Sequence, residues 1–244
     1  MEDIPIILLH GWNLSGKTFL PLKQVLTENG YRVFSPDFPG FGENIPLGGI
    51  LNIHDYAKYV VKYMEKEKLD KAIIIGHSFG GRVGIVLAAH HKEKVAALIL
   101  TGAPGILPVP RAMVRLTIFL TKTGKLIFYI PPLFFFRDVA RKALYKVLGV
   151  WDYYNAQGLL RETFKSVIAY DLEPHLPSID VPTLLVWGKV DRLVPEDIGK
   201  KMSQAIPNSR FVSIEGYGHS LPYKDPEEFA SVVIKFLRLQ SLTK

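Results

Sequence analysis

The chain contains no cysteine. It therefore cannot form a disulfide framework or use a thiolate as a nucleophile or metal ligand, and this composition suits a reducing compartment. The histidines also lack the spacing of metal ligands, because no H-E-x-x-H or similar motif occurs and the adjacent pair His90-His91 cannot point the same way on a helix. We expect no metal site and no cofactor.

Signals for export or membrane insertion are equally scarce. The sequence opens on the acidic stretch Met1-Glu2-Asp3, and the apolar run that follows is short and strand-like, so we expect no signal peptide and a cytoplasmic protein. The apolar stretch at residues 113–136 never reaches the roughly eighteen uncharged residues that a membrane-spanning helix needs. It is interrupted by Arg115, Lys122, Lys125 and the pair Pro131-Pro132.

Acidic residues do not balance the basic ones, and the imbalance is local. The formal net charge is +7, and residues 104–170 contain ten Lys and Arg but only three Asp and Glu, so this segment accounts for the whole excess. A basic protein ordinarily suggests a nucleic-acid partner, but the confinement of the charge to one apolar, aromatic segment argues against one. Contact of this segment with a membrane surface is a less favoured alternative, which predicts liposome binding at low salt.

Outside that segment, buried-strand runs alternate with amphipathic helical stretches, which is typical of a parallel sheet covered by helices. The 244 residues suffice for one such α/β domain with an insertion. We assign residues 1–103 and 173–244 to the core, and residues 104–172, where helical spacing replaces the strand rhythm, to an inserted helical cap. Strands are predicted at residues 4–11, 31–37, 71–76, 95–102, 182–188 and 209–216.

One glycine-rich motif stands at the end of a predicted strand. The residues Gly76-His77-Ser78-Phe79-Gly80 fit G-x-S-x-G, in which a buried strand turns abruptly into a helix and holds a serine at the corner. An isolated match is also explained by a glycine-rich turn whose serine caps the helix. The context favours the first interpretation, because the strand-like run KAIII precedes the motif and the helical pattern RVGIVLAAHH follows it. Ser78 is therefore predicted to be displayed rather than buried.

A serine hydroxyl attacks a carbonyl at neutral pH only when a base takes its proton and an acid orients that base. Two residues at predicted strand ends fit these roles: Asp191 follows the strand PTLLVW, and His219 follows the last strand on a glycine-bounded loop. The chain order of Ser78, Asp191 and His219 is that of nucleophile-elbow hydrolases. Taken singly, Asp191 could be a helix N-cap ahead of Pro195, His219 an ordinary loop histidine, and His10 a packed polar residue. Together they predict a catalytic triad.

These motifs resemble those of the α/β-hydrolase superfamily, specifically its esterase-like members with a helical cap, over nearly the whole chain. The sequence LLHGW at residues 8–12 is similar to the family's His-Gly loop, DFPGFGEN at residues 37–44 to its glycine-rich loop, and GHSFGG at residues 76–81 to its elbow. The resemblance implies an α/β-hydrolase fold with a mostly parallel sheet of about six strands, since the two leading strands usual in the family are absent. The edge strand left by that absence could pair with another molecule.

The same resemblance assigns further site residues. It implies that the backbone N–H groups of Trp12 and Phe79 form an oxyanion hole, which stabilises the charge that develops on the substrate oxygen during attack. We expect the substrate-binding site to be lined by residues of these loops and of the cap. These residues are His10, Gly11, His77, Leu193, Phe128, Phe135 and Trp151.

A serine at the elbow, where related dehalogenases and epoxide hydrolases have an aspartate, indicates acyl transfer through an acyl-enzyme. We predict a hydrolase of small-molecule carboxylic esters with small to medium apolar acyl groups. The motifs do not distinguish esters from thioesters, lactones or carbon–carbon bonds, and a non-catalytic ligand receptor on the same fold is a further alternative. The natural substrate and the oligomeric state are left open.

Overall fold

The computed structural model describes residues 4–44, 47–106 and 158–241. Within these residues lie six β-strands, which form one sheet whose neighbouring strands are all parallel. The strands are β1 (Ile6–Leu9), β2 (Val33–Phe34), β3 (Ala72–His77), β4 (Val95–Thr101), β5 (Thr183–Gly188) and β6 (Ser209–Ile214). Their order across the sheet is β2-β1-β3-β4-β5-β6. The carboxyl ends of all six strands therefore meet at one edge of the sheet, where ligands gather in open parallel sheets.

All six predicted strands are present, which confirms the predicted α/β fold with a parallel sheet. Strand β2 is much shorter than the predicted residues 31–37 and pairs only with β1. After β2 ends, the neighbouring backbone groups form hydrogen bonds with side chains instead of with an adjacent strand. The Asp37 carboxylate accepts the N–H of Gly16 at 2.6 Å, and the N–H of Phe38 donates to the His10 ring at 3.0 Å.

Helices connect the strands, and local signals explain where two of them begin. The Asn52 side chain accepts the backbone N–H groups of His54 and Asp55, and Asp225 accepts that of Glu228, so both side chains cap the helices that follow them. The helices are α1 (Leu20–Glu28), α2 (Ile53–Lys66), α3 (Phe79–His90), α4 (Gly158–Ala169), α5 (Glu196–Ala205), α6 (Leu221–Lys224) and α7 (Pro226–Leu239). No helix within the described ranges is both long and apolar enough to cross a membrane.

The sheet is buried on both faces by two apolar layers. Alternate residues of each central strand point to opposite sides, so Ile74 packs in the layer of α2, α3 and α5, whereas Ile73 packs in the layer of α1 and α7. Strands buried on both faces have no polar side to alternate with the apolar one, which explains the continuous isoleucine run of β3. The central strands β3 and β4 are consequently the rigid base on which the loops at the carboxyl edge are held.

A buried arginine joins α3 to the backbone on both flanks of the predicted cap. The Arg82 guanidinium donates to the carbonyl of Pro104 at 2.5 Å on one flank, and to those of Val167 at 3.0 Å and Tyr170 at 2.6 Å on the other. Burial lowers its pKa to about 10, so the group remains charged at neutral pH. The predicted cap at residues 104–172 lies largely outside the described residues, and its boundaries stay a prediction. Arg82 holds the backbone at Pro104, Val167 and Tyr170 against α3.

Replacing Arg82 with methionine should destabilise the fold strongly. The variant retains an apolar stem but leaves three carbonyl groups without their donor, and each unmade buried hydrogen bond typically costs about 1–3 kcal/mol. We expect the free energy of unfolding in urea to fall by about 2–4 kcal/mol, since some carbonyls will regain water. Arg210→Met, at an exposed position of β6, should change it by less than about 0.5 kcal/mol. Equal losses in both variants would contradict the anchoring role.

Candidate active site

Ser78 occupies a strained corner between β3 and α3. Its backbone has φ 52° and ψ −113°, an unfavourable conformation for a residue with a side chain. The surrounding hydrogen bonds hold it there. The Ser78 N–H donates to Thr101 at 3.0 Å, and its carbonyl accepts the N–H groups of Gly81 and Arg82 at the start of α3. The Ser78 side chain makes no capping hydrogen bond, so the alternative of a helix-capping serine is wrong.

The glycines of the motif permit backbones to touch around this corner. A β-carbon on Gly80 would lie 2.1 Å from the Leu9 carbonyl oxygen, and one on Gly76 would lie 2.6 Å from the Gly80 carbonyl oxygen. Neither space accommodates any side chain. The first turn of α3 is therefore pressed against the end of β1, and the loop that follows β1 is brought next to Ser78.

Asp191 and His219 form a hydrogen-bonded pair at the same edge of the sheet. The His219 Nδ1 donates to the Asp191 Oδ2 at 2.9 Å, while Asp191 Oδ1 accepts the backbone N–H groups of Leu193 and Val194, each at 2.9 Å. The Asp191 carboxylate is buried, and these three donors compensate for its lost hydration. Helix α5 has Pro195 at its N-cap, so Asp191 does not cap it. The carboxylate instead orients His219.

The end of β4 lies against this pair. Gly102 has φ +57°, and a β-carbon there would lie 2.9 Å from both Nδ1 and Cε1 of His219 and 3.5 Å from Asp191 Oδ2. The preceding residue, Thr101, accepts the Ser78 N–H. Strand β4 therefore contacts the elbow on one side and the His219 ring on the other. No hydrogen bond between the Ser78 hydroxyl and His219 is found among the described residues, a common situation in structures without substrate.

The side chains of the two residues predicted to supply the oxyanion donors are in contact. The Trp12 and Phe79 rings have centroids 5.2 Å apart in an edge-to-face arrangement. Within the described ranges, neither backbone N–H has a hydrogen-bond acceptor. The indole of Trp12 also packs edge-to-face against Phe41 and Phe164, each at a centroid distance of 4.8 Å. An aromatic cluster of Trp12, Phe41, Phe79 and Phe164 thus adjoins the candidate donors.

Two histidines expected to line the substrate site are buried within the protein. His10 accepts the Phe38 N–H at Nε2, lies 2.8 Å from the Gly11 carbonyl through Nδ1, and has a pKa lowered by burial. His77 contacts the His219 carbonyl and the Tyr223 hydroxyl through its two ring nitrogens. Both ring nitrogens of each histidine therefore contact other parts of the protein and hold loops in place. The expectation that these residues line the substrate site stays a prediction.

The remaining predicted substrate residues divide into two groups. Gly11 is buried beside His77, whereas Leu193 is 55% exposed next to Asp191, at the open side of the edge. Phe128, Phe135 and Trp151 lie outside the described residues. Over the described ranges, no group of three or more His, Asp or Glu side chains is arranged to hold a metal ion.

Sequence reasoning missed three residues that shape this site: Gly102, Phe164 and Tyr223. Phe164 had a usable signal, because Leu160, Phe164 and Val167 recur at helical spacing and all pack against the core. No sequence pattern indicates the roles of Gly102 and Tyr223. Only the folded chain brings Gly102 next to His219 and Tyr223 next to His77.

Comparisons with known proteins concern the family and the fold of the chain. A model of the alpha/beta hydrolase family matches residues 6–232. The AB hydrolase superfamily protein YisY of Bacillus subtilis is 30% identical over 97% of this chain and 94% of its own length. The bifunctional esterase/perhydrolase DCH of Acinetobacter calcoaceticus is 26% identical over 97% of this chain and 93% of its own length. An esterase structure from Exiguobacterium antarcticum superposes with a TM-score of 0.72 at 23% identity, over 96% of this chain and 92% of that one.

Replacing Gly102 with alanine should displace His219. The added methyl group would lie 2.9 Å from two ring atoms, closer than van der Waals contact permits, and the positive φ adds strain that typically costs about 1–2 kcal/mol. Gly30→Ala is a matched control, because Gly30 has φ +88° and nothing within 4 Å of an added β-carbon. We expect both variants to lose stability in urea, but only Gly102→Ala to shift the His219 ring signals in ¹⁵N-histidine NMR spectra. Identical His219 signals in the two variants would refute the contact.

Proposed function

Because the chain belongs to the alpha/beta hydrolase family, we propose that it is a serine hydrolase that cleaves carboxylic esters with small to medium apolar acyl groups. The observation that carries the proposal is the Asp191–His219 hydrogen bond of 2.9 Å at the edge where Ser78 is held in a strained turn. The relative named as an esterase/perhydrolase supports the choice of ester chemistry. The roles of the individual residues follow from their geometry.

In the first half of the reaction, the Ser78 hydroxyl attacks the ester carbonyl. An ionised Asp191 can only accept hydrogen bonds, so the His219 Nδ1 carries the proton of their shared bond and Nε2 is free to take the serine proton. The nearby carboxylate also stabilises the imidazolium that results. Collapse of the tetrahedral intermediate transfers that proton to the departing alcohol and leaves an acyl group on Ser78.

The developing oxyanion needs donors that are already in position. We assign this role to the backbone N–H groups of Trp12 and Phe79, and the close contact of α3 with the end of β1 and the contact between the two rings support this assignment. One well-placed donor of this kind lowers the barrier by about 3–4 kcal/mol. Water, activated by His219 in the same way as the serine, then hydrolyses the acyl-enzyme and regenerates Ser78.

The aromatic cluster of Trp12, Phe41, Phe79 and Phe164 supports an apolar acyl group. These rings adjoin the proposed oxyanion donors, so the acyl chain of a substrate bound there would lie against apolar surface. The predicted contributions of Phe128, Phe135 and Trp151 would extend this surface from the cap. Lys and Arg residues of the cap would then lie outward, with their aliphatic stems along it.

The variant Ser78→Ala should abolish hydrolysis of p-nitrophenyl butyrate while leaving the melting temperature nearly unchanged. The hydroxyl makes no hydrogen bond within the described part of the chain, so its loss removes chemistry rather than packing. Removal of a triad serine lowers kcat by about 10⁶-fold in a comparable enzyme. Ser220→Ala, next to His219 but exposed and without a capping hydrogen bond, should retain full activity.

A fluorophosphonate probe completes this experiment, because it labels an activated serine whatever the substrate. Wild type and Ser220→Ala should be labelled, and Ser78→Ala should not. Retention of more than a tenth of wild-type activity by Ser78→Ala would refute the assigned nucleophile. Labelling of Ser78 without turnover of esters would redirect the assay to thioesters, lactones and carbon–carbon bonds. Absence of both labelling and turnover in the wild type would favour the non-catalytic receptor.

The length of the acyl chain should control kcat/KM. Each methylene buried against the aromatic cluster contributes up to about 0.8 kcal/mol, or about fourfold in rate, until the pocket is full. We expect kcat/KM to rise from p-nitrophenyl acetate to medium-chain esters and then to fall. Phe164→Ala should reduce the gain per methylene, whereas Phe34→Ala, at a half-buried position of edge strand β2, should not. A steady decline from acetate onward would reject the apolar acyl site.

A further inference from the structure

A buried histidine links two loops that flank Ser78. His77 is almost fully buried at the end of β3, one residue before Ser78. Its Nε2 lies 2.8 Å from the backbone carbonyl of His219, and its Nδ1 lies 2.9 Å from the Tyr223 hydroxyl. The proposed mechanism uses neither contact. They nevertheless join the elbow to the loop that carries the proposed base.

The contacts determine which nitrogen of His77 carries its proton. A carbonyl oxygen can only accept, so Nε2 must donate to His219. In a neutral ring Nδ1 must then accept, and the Tyr223 hydroxyl is its donor. Burial, the largest influence, lowers the pKa of His77 to about 3, so the ring stays neutral over the ordinary working range. The His219 carbonyl therefore selects this tautomer, and the Tyr223 hydroxyl, by donating to Nδ1, holds the ring in the orientation that binds the His219 backbone.

The same hydroxyl and ring also face the loop of the proposed oxyanion donor. A β-carbon on Gly11 would lie 2.9 Å from His77 Nδ1, so the backbone that leads into Trp12 rests on this ring. Burial raises the pKa of Tyr223, and a hydrogen bond with the Gly11 backbone opposes part of that rise. The phenol ring packs against Phe19 at a centroid distance of 4.9 Å. Tyr223 thus lies where the oxyanion loop, the elbow and the His219 loop meet.

We infer that Tyr223 is a positioning residue for the hydrolytic reaction: through His77 it sets the placement of His219 and of the Gly11–Trp12 loop relative to Ser78. This inference rests on the proposed function. Among the residues that the structure describes, Tyr223 forms no hydrogen bond with Asp191 or Ser78, so it acts through another residue. Loss of its hydroxyl leaves the buried Nδ1 of His77 without a donor, so the ring is no longer held from both sides and can shift together with the His219 backbone.

The first test compares Tyr223→Phe with Tyr217→Phe. Each variant removes one hydroxyl that donates a hydrogen bond on the same stretch of chain, but the Tyr217 hydroxyl bonds to Asp225 at the start of α7, away from His77. We expect Tyr223→Phe to lower kcat about tenfold with less than a twofold change in KM, as the loss of one positioning hydrogen bond would do. Tyr217→Phe should leave both constants within twofold. Wild-type kcat in Tyr223→Phe, or equal losses in both variants, would overturn the inference.

A double-mutant cycle shows whether Tyr223 acts through His77. In a His77→Phe background the tyrosine hydroxyl has no acceptor on the ring, so adding Tyr223→Phe should lower kcat by less than a further twofold. An undiminished tenfold effect in that background would overturn the inference. If His77→Phe does not fold, the spectroscopic measurement on Tyr223→Phe alone decides.

That measurement uses ¹⁵N-histidine NMR and requires no turnover. In the wild type, His77 should show a protonated Nε2 and an unprotonated, hydrogen-bonded Nδ1, whereas Tyr223→Phe should show a His77 Nδ1 signal shifted by the loss of that hydrogen bond and shifted His219 signals. Tyr217→Phe should match the wild type. If the wild type hydrolyses no substrate, the proposed function fails, and these spectra alone decide the positioning role. Unchanged His77 and His219 signals in Tyr223→Phe would overturn it in either case.

Discussion

The placement of the site depends on the strained backbone of Ser78. A residue with a side chain adopts φ 52° and ψ −113° only when its surroundings hold it there. The β3–β4 ladder continues through the Ser78 N–H, and the first turn of α3 contacts the end of β1 so closely that Gly80 has no room for a side chain. The same contact places the Trp12 loop beside Phe79. The corner that displays the serine thereby also assembles the proposed oxyanion donors.

Side-chain to backbone hydrogen bonds hold the loops around this corner. Loops at the carboxyl edge have no ladder partners, so their buried backbone groups need other ones. Asp191 accepts two backbone N–H groups of its own loop, and His10 accepts the N–H of Phe38. His77 binds the backbone carbonyl of His219, and Arg82 donates to the carbonyls of Pro104 and Val167 near the two ends of the predicted cap. Buried polar groups of this kind are costly unless paired. Their pairing gives each loop one favoured position.

The histidines show that residue identity alone does not give the direction of a ring. His10, His77 and His219 each lie in or next to a glycine-rich motif at a strand end; His219 was predicted to belong to the triad, and His10 and His77 to line the substrate site. Only His219 pairs with a carboxylate, whereas His10 and His77 use their ring nitrogens on backbone and hydroxyl groups. A motif places the backbone of such a residue. The direction of its ring depends on partners that are distant in the sequence.

Local patterns were sufficient to predict the parallel sheet, the elbow and the strand-end positions of Asp191 and His219. Apolar runs, glycine spacing and strand-to-helix alternation are short-range properties that report burial and backbone geometry directly. Tertiary structure alone decided the length of β2, the contact of Gly102 with His219 and the meeting of Tyr223 with His77, 146 residues apart in the chain. These features depend on which loops the sheet order makes neighbours. No local pattern encodes that order, because it results from packing the whole chain on both faces of one sheet.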